Sequence, residues 1–367
     1  MGPHVDFIPG LRLGRMLYEE EGRAIVERVV SREAYAAAFI GKGSDVLGFD
    51  SERSTDHDWG PRFQVFLHPD LYESRAPLLD EELRRRLPAV FHGFDVGFSD
   101  PDPDDGGTQT PRAALPGSVG HLVEITTTAL YLRRHIGVDT VSDLGVLDWL
   151  TFPEQRLLEL TAGAVFHDPQ GELALIREKL GAYPRDVWLY RMACQWQRLS
   201  QEEAFVGRCA EAGDLLGMKV VSARICRDVM KLGFLMERTY APYDKWLGSA
   251  FGLLACAPRM QPHMAAALEA RDYAALEPNL VALYGLLGEL HNTLGATGPM
   301  DCSPRKYFSR PFMVMRAERF ANALLRAVQD DELRRIPVRM GAIDQFIDST
   351  DFIEHPETYR SVRALFR

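Results

Sequence analysis

The pattern of apolar and polar residues changes near residue 140, and this change limits the folds that the chain can adopt. Before it, helical periodicity alternates with short apolar or β-branched runs, which is typical of a mixed domain. After it, the pattern is almost wholly helical, with Pro or Gly at nearly every junction. We therefore predict an α+β fold, with a small mixed sheet in a domain over residues 1–140 and an all-α helical bundle domain over residues 141–367.

The composition fits two globular domains of ordinary size. The chain has 367 residues, of which 46% are hydrophobic and 26% are charged, and this argues against wholesale disorder. The formal net charge of −10 argues against a general nucleic-acid binder, because neutralising phosphates requires a basic surface. It leaves room for a local basic pocket that binds a nucleotide.

Three sequence features bear on cellular location. No run of about 18 apolar residues is present, so we predict no transmembrane helix and no membrane partner. The segment Met1–Gly14 lacks the basic-then-apolar order of a signal peptide. The five cysteines are widely spaced and never form a CxxC pair, which favours reduced thiols over disulfides or zinc ligands. Together these features predict a cytoplasmic protein.

Periodicity predicts most elements of the first domain. Apolar residues at helical spacing predict a helix over Leu11–Val30. A short apolar run over Tyr35–Ile40, which stops at Gly41, predicts a buried strand. The further predictions are an extended segment over Asp56–Leu67, a helix over Pro77–Leu87, strands over Val90–Phe98 and His121–Thr128, and an exposed loop over Ser99–Pro116.

The segment after the Tyr35–Ile40 run combines a glycine-serine turn with two closely spaced acids. Gly43-Ser44 is followed by eleven residues and then by Asp56-x-Asp58 on the predicted extended segment. Alternate residues of an extended segment point to one face, so the two carboxylates would lie side by side. Such carboxylates repel each other unless a cation lies between them, and Mg²⁺ takes carboxylate and phosphate oxygens together.

The turn supplies the complementary part of a phosphate site. Glycine allows close approach of the backbone, and exposed N–H groups together with the Ser44 hydroxyl can bind phosphate oxygens. Lys42, Arg53 and Arg62 flank the segment and would offset phosphate charge. These residues predict a metal-assisted phosphoryl or nucleotidyl transfer site.

This order of a strand, Gly-Ser and Asp-x-Asp resembles the signature of the DNA polymerase β-like nucleotidyltransferase superfamily, in which a small mixed sheet precedes helices. The family completes its metal site with a third carboxylate on a later strand that is flanked by apolar residues. The resemblance assigns this role to Glu124, in Val123-Glu124-Ile125, with Asp95, in Phe94-Asp95-Val96, as the alternative.

The resemblance implies a site and a reaction. Asp56, Asp58 and Glu124 would be the catalytic residues and would hold Mg²⁺, with two ions in the loaded state. Gly43 and Ser44 would bind the phosphates of ATP or another nucleoside triphosphate (NTP). The reaction would move a nucleoside monophosphate, AMP in the case of ATP, onto a hydroxyl of a small-molecule acceptor.

Within the superfamily, the domain order resembles that of the aminoglycoside (antibiotic) nucleotidyltransferases. An uncharacterised bacterial branch near them is similar around Gly43–Gly48, Ser54–Arg62 and Tyr240–Trp246. The resemblance implies that the helical domain binds the acceptor and caps the nucleotide. Two residues depart from the superfamily pattern, because Lys42 and His57 stand where apolar residues are usual.

Two other functions stay open at this point. Protein or RNA nucleotidylation of the toxin–antitoxin type would keep the chemistry and change the acceptor, although the negative net charge argues against RNA. A nucleotide-sensing or regulatory module on a decayed nucleotidyltransferase fold would lack catalysis. Lys42 and His57 are the residues that keep this last interpretation open.

The helical part offers a few candidate site residues. Lys245 and, less strongly, Arg208 could contact the triphosphate, and a solvated surface role is the alternative for both. Glu203 and Asp214 share one face of a helix predicted over 201–238, since eleven residues make close to three turns. They could bind a cationic or polyhydroxylated acceptor or remove its hydroxyl proton. Packing of helices over small residues is the alternative that we favour for this face.

Three residues near the motif have structural interpretations that we prefer. Asp45 and Asp50 are expected to act as turn or capping residues in the loop. His57 would point away from its acidic neighbours, so we expect it to support the site or the core and not to bind a metal.

Overall fold

The computed structural model describes residues 6–115 and 117–367. One compact unit comprises Met1–Asp143 with Arg156–Gly181, and the other comprises Leu144–Gln155 with Ala182–Arg367. The first residues of the predicted N-terminal segment and Pro116, at the end of the predicted loop, lie outside the described residues. The chain therefore passes between the two units more than once.

The chain combines helices with short strands. In chain order the strands are β1 (Tyr35–Phe39), β2 (Gln64–Leu67), β3 (Val90–Phe91), β4 (Phe94–Asp95), β5 (Glu124–Thr126), β6 (Ala164–His167), β7 (Arg305–Lys306) and β8 (Met313–Val314). The helices are α1 (Gly10–Leu17), α2 (Arg23–Val29), α3 (Ser44–Leu47), α4 (Pro69–Arg86), α5 (Thr128–Ile136), α6 (Val146–Thr151), α7 (Glu154–Thr161), α8 (Glu172–Leu180), α9 (Arg185–Glu202), α10 (Phe205–Glu211), α11 (Leu215–Met236), α12 (Asp244–Phe251), α13 (Ala257–Glu269), α14 (Tyr273–Thr293), α15 (Glu318–Ala327), α16 (Asp331–Arg335), α17 (Thr350–Glu354) and α18 (Tyr359–Val362).

A small mixed sheet forms the centre of the first unit, with the strand order β5-β2-β1-β6. β1 pairs antiparallel with β2 and with β6, whereas β2 pairs parallel with β5. Every residue of β1 is buried, as expected for a continuous apolar run with a neighbour on each side. The predicted strand over Tyr35–Ile40 is therefore confirmed, and so is a small mixed sheet among helices.

The first unit differs from the sequence-based prediction at several elements. The predicted helix over Leu11–Val30 is interrupted by a π-helical turn over Tyr18–Gly22. α4 begins earlier than predicted, at Pro69, where a proline at the first helical position leaves no intrahelical hydrogen bond unmade. The predicted strand over Val90–Phe98 is instead the β3–β4 hairpin, because His92 and Gly93 both adopt positive φ angles, as a tight hairpin turn requires.

The strand β6 lies in the part of the chain for which the sequence predicts helices almost throughout. It consists of Ala164–His167 and pairs with β1, and this pairing places it in the first unit. Three apolar residues followed by His167 do not distinguish a strand from a piece of helix. Pairing with β1 favours the strand conformation for this segment, because β1 would otherwise have an unpaired edge.

The second unit is mainly helical, but its longest predicted helix, over 201–238, is broken into three. α9 ends at Glu202, α10 is a separate short helix, and α11 begins at Leu215. Gly213 has a φ of 71°, and the Asp214 side chain accepts a hydrogen bond from the Gly217 N–H at 2.7 Å. A left-handed glycine followed by an N-capping aspartate ends one helix and begins another.

The helices of the described part of the chain do not meet the requirements for crossing a bilayer. Crossing a bilayer takes about 20 consecutive and predominantly apolar residues. None of the helices within residues 6–115 and 117–367 is both long enough and apolar enough to do so.

Candidate functional site

The turn between β1 and α3, over residues 40–44, depends on two glycines. Gly41 has a φ of 94° and Gly43 a φ of 133°, values that residues with side chains rarely adopt. The Gly41 N–H donates to the carbonyl of Glu159 at 2.8 Å. A Cβ atom on Gly43 would lie 2.1 Å from Oδ1 of Asp45 and 2.6 Å from Nη2 of Arg62. Both backbone angle and space therefore restrict position 43 to glycine.

Asp45 and Arg62 form a buried ion pair against this turn. Their side chains are 1% and 17% exposed. Arg62 Nη2 donates to Asp45 Oδ1 at 2.9 Å, to Asp45 Oδ2 at 3.0 Å and to the carbonyl of Lys42 at 3.3 Å. Asp45 Oδ1 also accepts from the Val46 N–H at 3.0 Å, in line with the predicted turn role. Arg62, predicted to offset phosphate charge, already has its charge compensated by Asp45.

Asp50 links the loop that follows the turn to helix α1 through hydrogen bonds. Its Oδ2 accepts from the Gly10 N–H at 2.7 Å and from Trp59 Nε1 at 2.9 Å. Trp59 is buried and stacks on Phe7. These bonds satisfy the first N–H group of α1, a contact across 40 positions and not the turn or capping role predicted for Asp50 within its own loop.

Asp56 and Asp58 do not lie on a strand, so the prediction that strand alternation places both carboxylates on one face is wrong. Asp56 ends a 3₁₀ turn over Glu52–Asp56, is 69% exposed, and lies 3.0 Å from Nδ1 of His57. Asp58 has a φ of 48° and exchanges two hydrogen bonds with the backbone of Gln109, each 2.8 Å long. The Ser51 N–H donates to the Ser54 hydroxyl, a local bond that favours the turn over an extended segment.

Glu124 lies on β5 next to the strand β2, where its partner residue is Gln64. The strand predicted around Val123-Glu124-Ile125 is thus present. The Glu124 carboxylate is paired with Arg134, and burial raises its pKa while Arg134 opposes this rise. The alternative candidate, Asp95, lies in the β3–β4 hairpin, outside the mixed sheet.

The three carboxylates implied as Mg²⁺ ligands are not brought together. Asp56, Asp58 and Glu124 each have a different partner, namely His57, the backbone of Gln109, and Arg134. Across residues 6–115 and 117–367, no group of three or more His, Cys, Asp or Glu residues could hold a metal ion. The donor set of the described residues therefore does not fit a resident magnesium ion in this conformation.

Three cations lie near the His135 ring beside Gly41. A Cβ atom on Gly41 would lie 3.3 Å from Nε2 of His135. Burial, together with the nearby cations Arg156, Lys42 and Arg134, lowers the pKa of His135 to about 3. His135 is therefore neutral at physiological pH. Arg134 is paired with Glu124 and Arg156 with Glu159, so the charges of both arginines are compensated.

The remaining sequence-predicted cations are exposed. Lys42 lies in the turn, and Arg53 lies in the 3₁₀ turn over Glu52–Asp56. In the second unit, the Lys245 ammonium lies 5.1 Å from the ring centre of Trp246. The Arg208 guanidinium lies 5.8 Å from the ring centre of Phe205.

Glu203 and Asp214 do not share a helix face, because the predicted helix is broken between them. Glu203 Oε2 accepts from the N–H groups of Met315 at 2.6 Å and Arg316 at 3.2 Å, and Oε1 accepts from Ala317 at 3.2 Å. These bonds cap the chain before α15, and Asp214 caps α11. Both carboxylates thus have capping bonds, and the acceptor-side role stays a prediction.

A buried ionic cluster in the second unit was not foreseen from the sequence. Arg191, 1% exposed, lies with Nη2 3.2 Å from Glu154 Oε1 and 3.4 Å from Asp344 Oδ2. The Glu154 N–H donates to both carboxylate oxygens of Asp344, and Lys231 Nζ donates to the Asp344 carbonyl at 2.8 Å. Burial raises the pKa of Glu154 to about 7. An arginine within the apolar run of α9 was the one signal available.

The chain is similar to a family model and to solved structures. Residues 149–247 match a family model described as a domain of unknown function, DUF4037. The chain is also similar to a nucleotidyltransferase-like protein from Exiguobacterium sibiricum 255-15, with 12% sequence identity, a TM-score of 0.34, and coverage of 78% of this chain and 77% of that chain. No curated protein matches the sequence.

Proposed function

We propose that the chain binds an NTP, ATP in the first instance, at the turn over residues 40–44. We further propose that it transfers the nucleoside monophosphate to a hydroxyl group of a small-molecule acceptor. The observation that carries the proposal is the turn itself, in which Gly41 and Gly43 hold positive φ angles directly after a buried strand. Glycine backbone of this kind allows an anion to approach N–H groups closely, and the Gly41 N–H is itself bonded to the Glu159 carbonyl.

Charge supports a polyphosphate as the ligand of this turn. Lys42 is the exposed cation of the turn itself. Arg134 and Arg156 lie nearby and would exchange Glu124 and Glu159 for the phosphates. A lysine beside the backbone N–H groups of a glycine turn favours a phosphate as the ligand. The Ser44 hydroxyl, at the first residue of α3, adds a donor that can turn toward a phosphate oxygen.

The proposed reaction joins the acceptor oxygen to the α-phosphorus of the nucleotide. The bond from the α-phosphorus to the bridging oxygen of the β-phosphate breaks, pyrophosphate leaves, and the hydroxyl proton passes to solvent. Magnesium enters as part of the nucleotide substrate, since the carboxylates of the described residues do not fit a resident ion. The cations beside the turn would stabilise the charge that develops on pyrophosphate.

A second candidate, nucleotide sensing without catalysis, is favoured by a specific observation. Asp58 is bound to the backbone of Gln109 and Glu124 is paired with Arg134. A carboxylate held in this way has to exchange its partner before it can take part in phosphoryl chemistry. A site that binds nucleotide and stays inert would need no such exchange.

The experiment that separates these candidates uses ATP labelled at the α-phosphate. The protein is incubated with the magnesium complex of this ATP and either a panel of small polyhydroxylated compounds or a cell lysate. Label in a small molecule with release of pyrophosphate supports the first candidate, and label in RNA or protein moves the acceptor to a macromolecule. Binding without pyrophosphate release favours the sensor, and neither binding nor release contradicts both candidates.

Two variants serve as probes in that experiment. Glu124→Gln removes the carboxylate on β5 next to the turn. If this carboxylate takes part in catalysis, we expect the variant to lose label transfer and to keep ATP binding. Asp102→Asn changes an exposed acid in the loop over Ser99–Pro116 and is the matched control, for which we expect transfer to be unchanged.

A further inference from the structure

We propose that Asp45 and Arg62 are positioning residues that hold the turn over residues 40–44 in its phosphate-binding conformation. The inference rests on the proposed function, because it gives this ion pair a task in nucleotide binding at the same turn. Sequence reasoning treated Asp45 as an ordinary turn residue and Arg62 as a cation for the phosphates. The contacts of the two side chains support a joint structural role.

The pair links two chain segments that meet at the turn. Arg62 lies just before β2, and its Nη2 atom donates to both carboxylate oxygens of Asp45 and to the Lys42 carbonyl. Asp45 lies just after the turn and accepts from the Val46 N–H. One nitrogen atom therefore holds the carbonyl before Gly43 and the carboxylate after it.

The pair also occupies the space beside Gly43, which has the larger positive φ angle of the two turn glycines. The positions nearest to an imagined Cβ atom of Gly43 are Asp45 Oδ1 and Arg62 Nη2, at 2.1 and 2.6 Å. The guanidinium lies over the ring of Phe39, the last residue of β1, at 4.8 Å. The turn is thus packed from one side by the ion pair, which itself rests on the buried strand.

Charge gives a way to separate positioning from direct phosphate binding. Because Asp45 compensates Arg62, the pair contributes little net charge to the site. If Arg62 bound phosphate directly, Asp45→Asn would free its charge and tighten ATP binding. If the pair positions the turn, both Asp45→Asn and Arg62→Gln weaken ATP binding, because either change removes the charge-assisted hydrogen bonds.

The test combines ATP calorimetry with hydrogen exchange on the full chain. We expect each single variant to bind the magnesium complex of ATP at least about tenfold more weakly, the equivalent of losing one charge-assisted hydrogen bond. We also expect faster amide exchange over residues 41–46 than in the wild type, with β6 unchanged. In the double variant Asp45→Asn/Arg62→Gln, a neutral amide pair can form again, so part of the affinity should return.

Two results would overturn the proposal. One is unchanged exchange over residues 41–46 in a folded single variant, and the other is tighter ATP binding by Asp45→Asn. Should Asp45→Asn not fold, Arg62→Lys replaces it, because a lysine keeps the charge but cannot reach three acceptors with the planar geometry of arginine. If the wild type binds no ATP, the proposed function fails, and the exchange data still decide whether the pair holds the turn.

Discussion

Gln64 and Glu124 lie side by side as partner residues of the parallel strands β2 and β5. The Gln64 amide accepts from the Ile40 N–H at 3.1 Å and donates to the Ile40 carbonyl at 2.9 Å. Glu124 is paired with Arg134, which also donates to the Thr126 hydroxyl at 3.0 Å. The Gln64 bonds join β2 to the residue that follows β1, and the Arg134 bonds join β5 to α5.

The bonds of Gln64 predict a marked loss of stability on truncation. Gln64 is 7% exposed, and Gln64→Ala leaves a buried N–H and a buried carbonyl of Ile40 without partners. We expect the free energy of unfolding to fall by about 2 to 4 kcal/mol, since each unsatisfied buried group costs about 1 to 3 kcal/mol. Urea denaturation measures the difference. The control is Gln170→Ala, which removes an exposed bond to the Glu33 carbonyl and should cost under about 1 kcal/mol.

The sequence allowed the centre of the fold to be predicted but not the placement of its acids. The Tyr35–Ile40 run is apolar throughout, and such a run has few alternatives to a buried strand. Asp56 and Asp58 follow a polar stretch, Asp50–Thr55, in which a local side-chain bond favours a turn. Asp58 is bonded to Gln109, far along the chain, and periodicity carries no information about such a partner.

The ion pairs of the site and of the second unit were beyond sequence reasoning for a related reason. The partners Asp45 and Arg62 are 17 positions apart, and Arg191 and Asp344 are 153 apart. Periodicity indicates which face of an element is buried, but not which charged residues from distant segments meet there. The turn role of Asp45 was easier to foresee, because its bond to the Val46 N–H is local, whereas the bond of Asp50 to Gly10 spans 40 positions.

A comparison of two glycines tests the geometry of the turn. Gly43→Ala meets Asp45 and Arg62 within 3 Å at a φ of 133°, whereas Gly48→Ala, at a φ of 75°, meets nothing within 4 Å. We expect Gly43→Ala to lower the free energy of unfolding by about 1 to 3 kcal/mol from backbone strain, plus the cost of displacing the ion pair. Gly48→Ala should cost about 1 kcal/mol. Equal losses in urea denaturation would contradict the described packing.

The cluster around Arg191 predicts an asymmetry between two acids of the C-terminal segment. Asp344→Ala removes a partner of Arg191, which is 1% exposed, and we expect a loss of about 3 kcal/mol or more, as for other broken buried pairs. Asp348→Ala removes a contact with Arg227 at 3.4 Å from an aspartate that is 70% exposed, so the loss should stay under about 1 kcal/mol. Thermal and urea unfolding of both variants check this order, and a reversed order would contradict it.

Glu203 predicts a pH dependence of stability. Burial raises the pKa of Glu203 from its usual 4.5 to about 7. The folded state binds the Glu203 proton more tightly than the unfolded state does. Glu203 therefore contributes fully to the free energy of unfolding below about pH 4.5, and this contribution is lost as pH rises through about 7. Unfolding free energies measured across this range should therefore fall less with pH in Glu203→Gln than in the wild type. The control Glu178→Gln changes an exposed carboxylate of α8 and should leave the slope as it is.

The central claim, that the turn over residues 40–44 binds an NTP, is tested most directly by calorimetry of the magnesium complex of ATP. Wild type, Gly43→Ala and Gly48→Ala are titrated after each has been shown to be folded. The account predicts one ATP per chain for the wild type, similar affinity for Gly48→Ala, and at least about tenfold weaker binding for Gly43→Ala. Absence of binding to the wild type, or equal affinity of the wild type and Gly43→Ala, would contradict it.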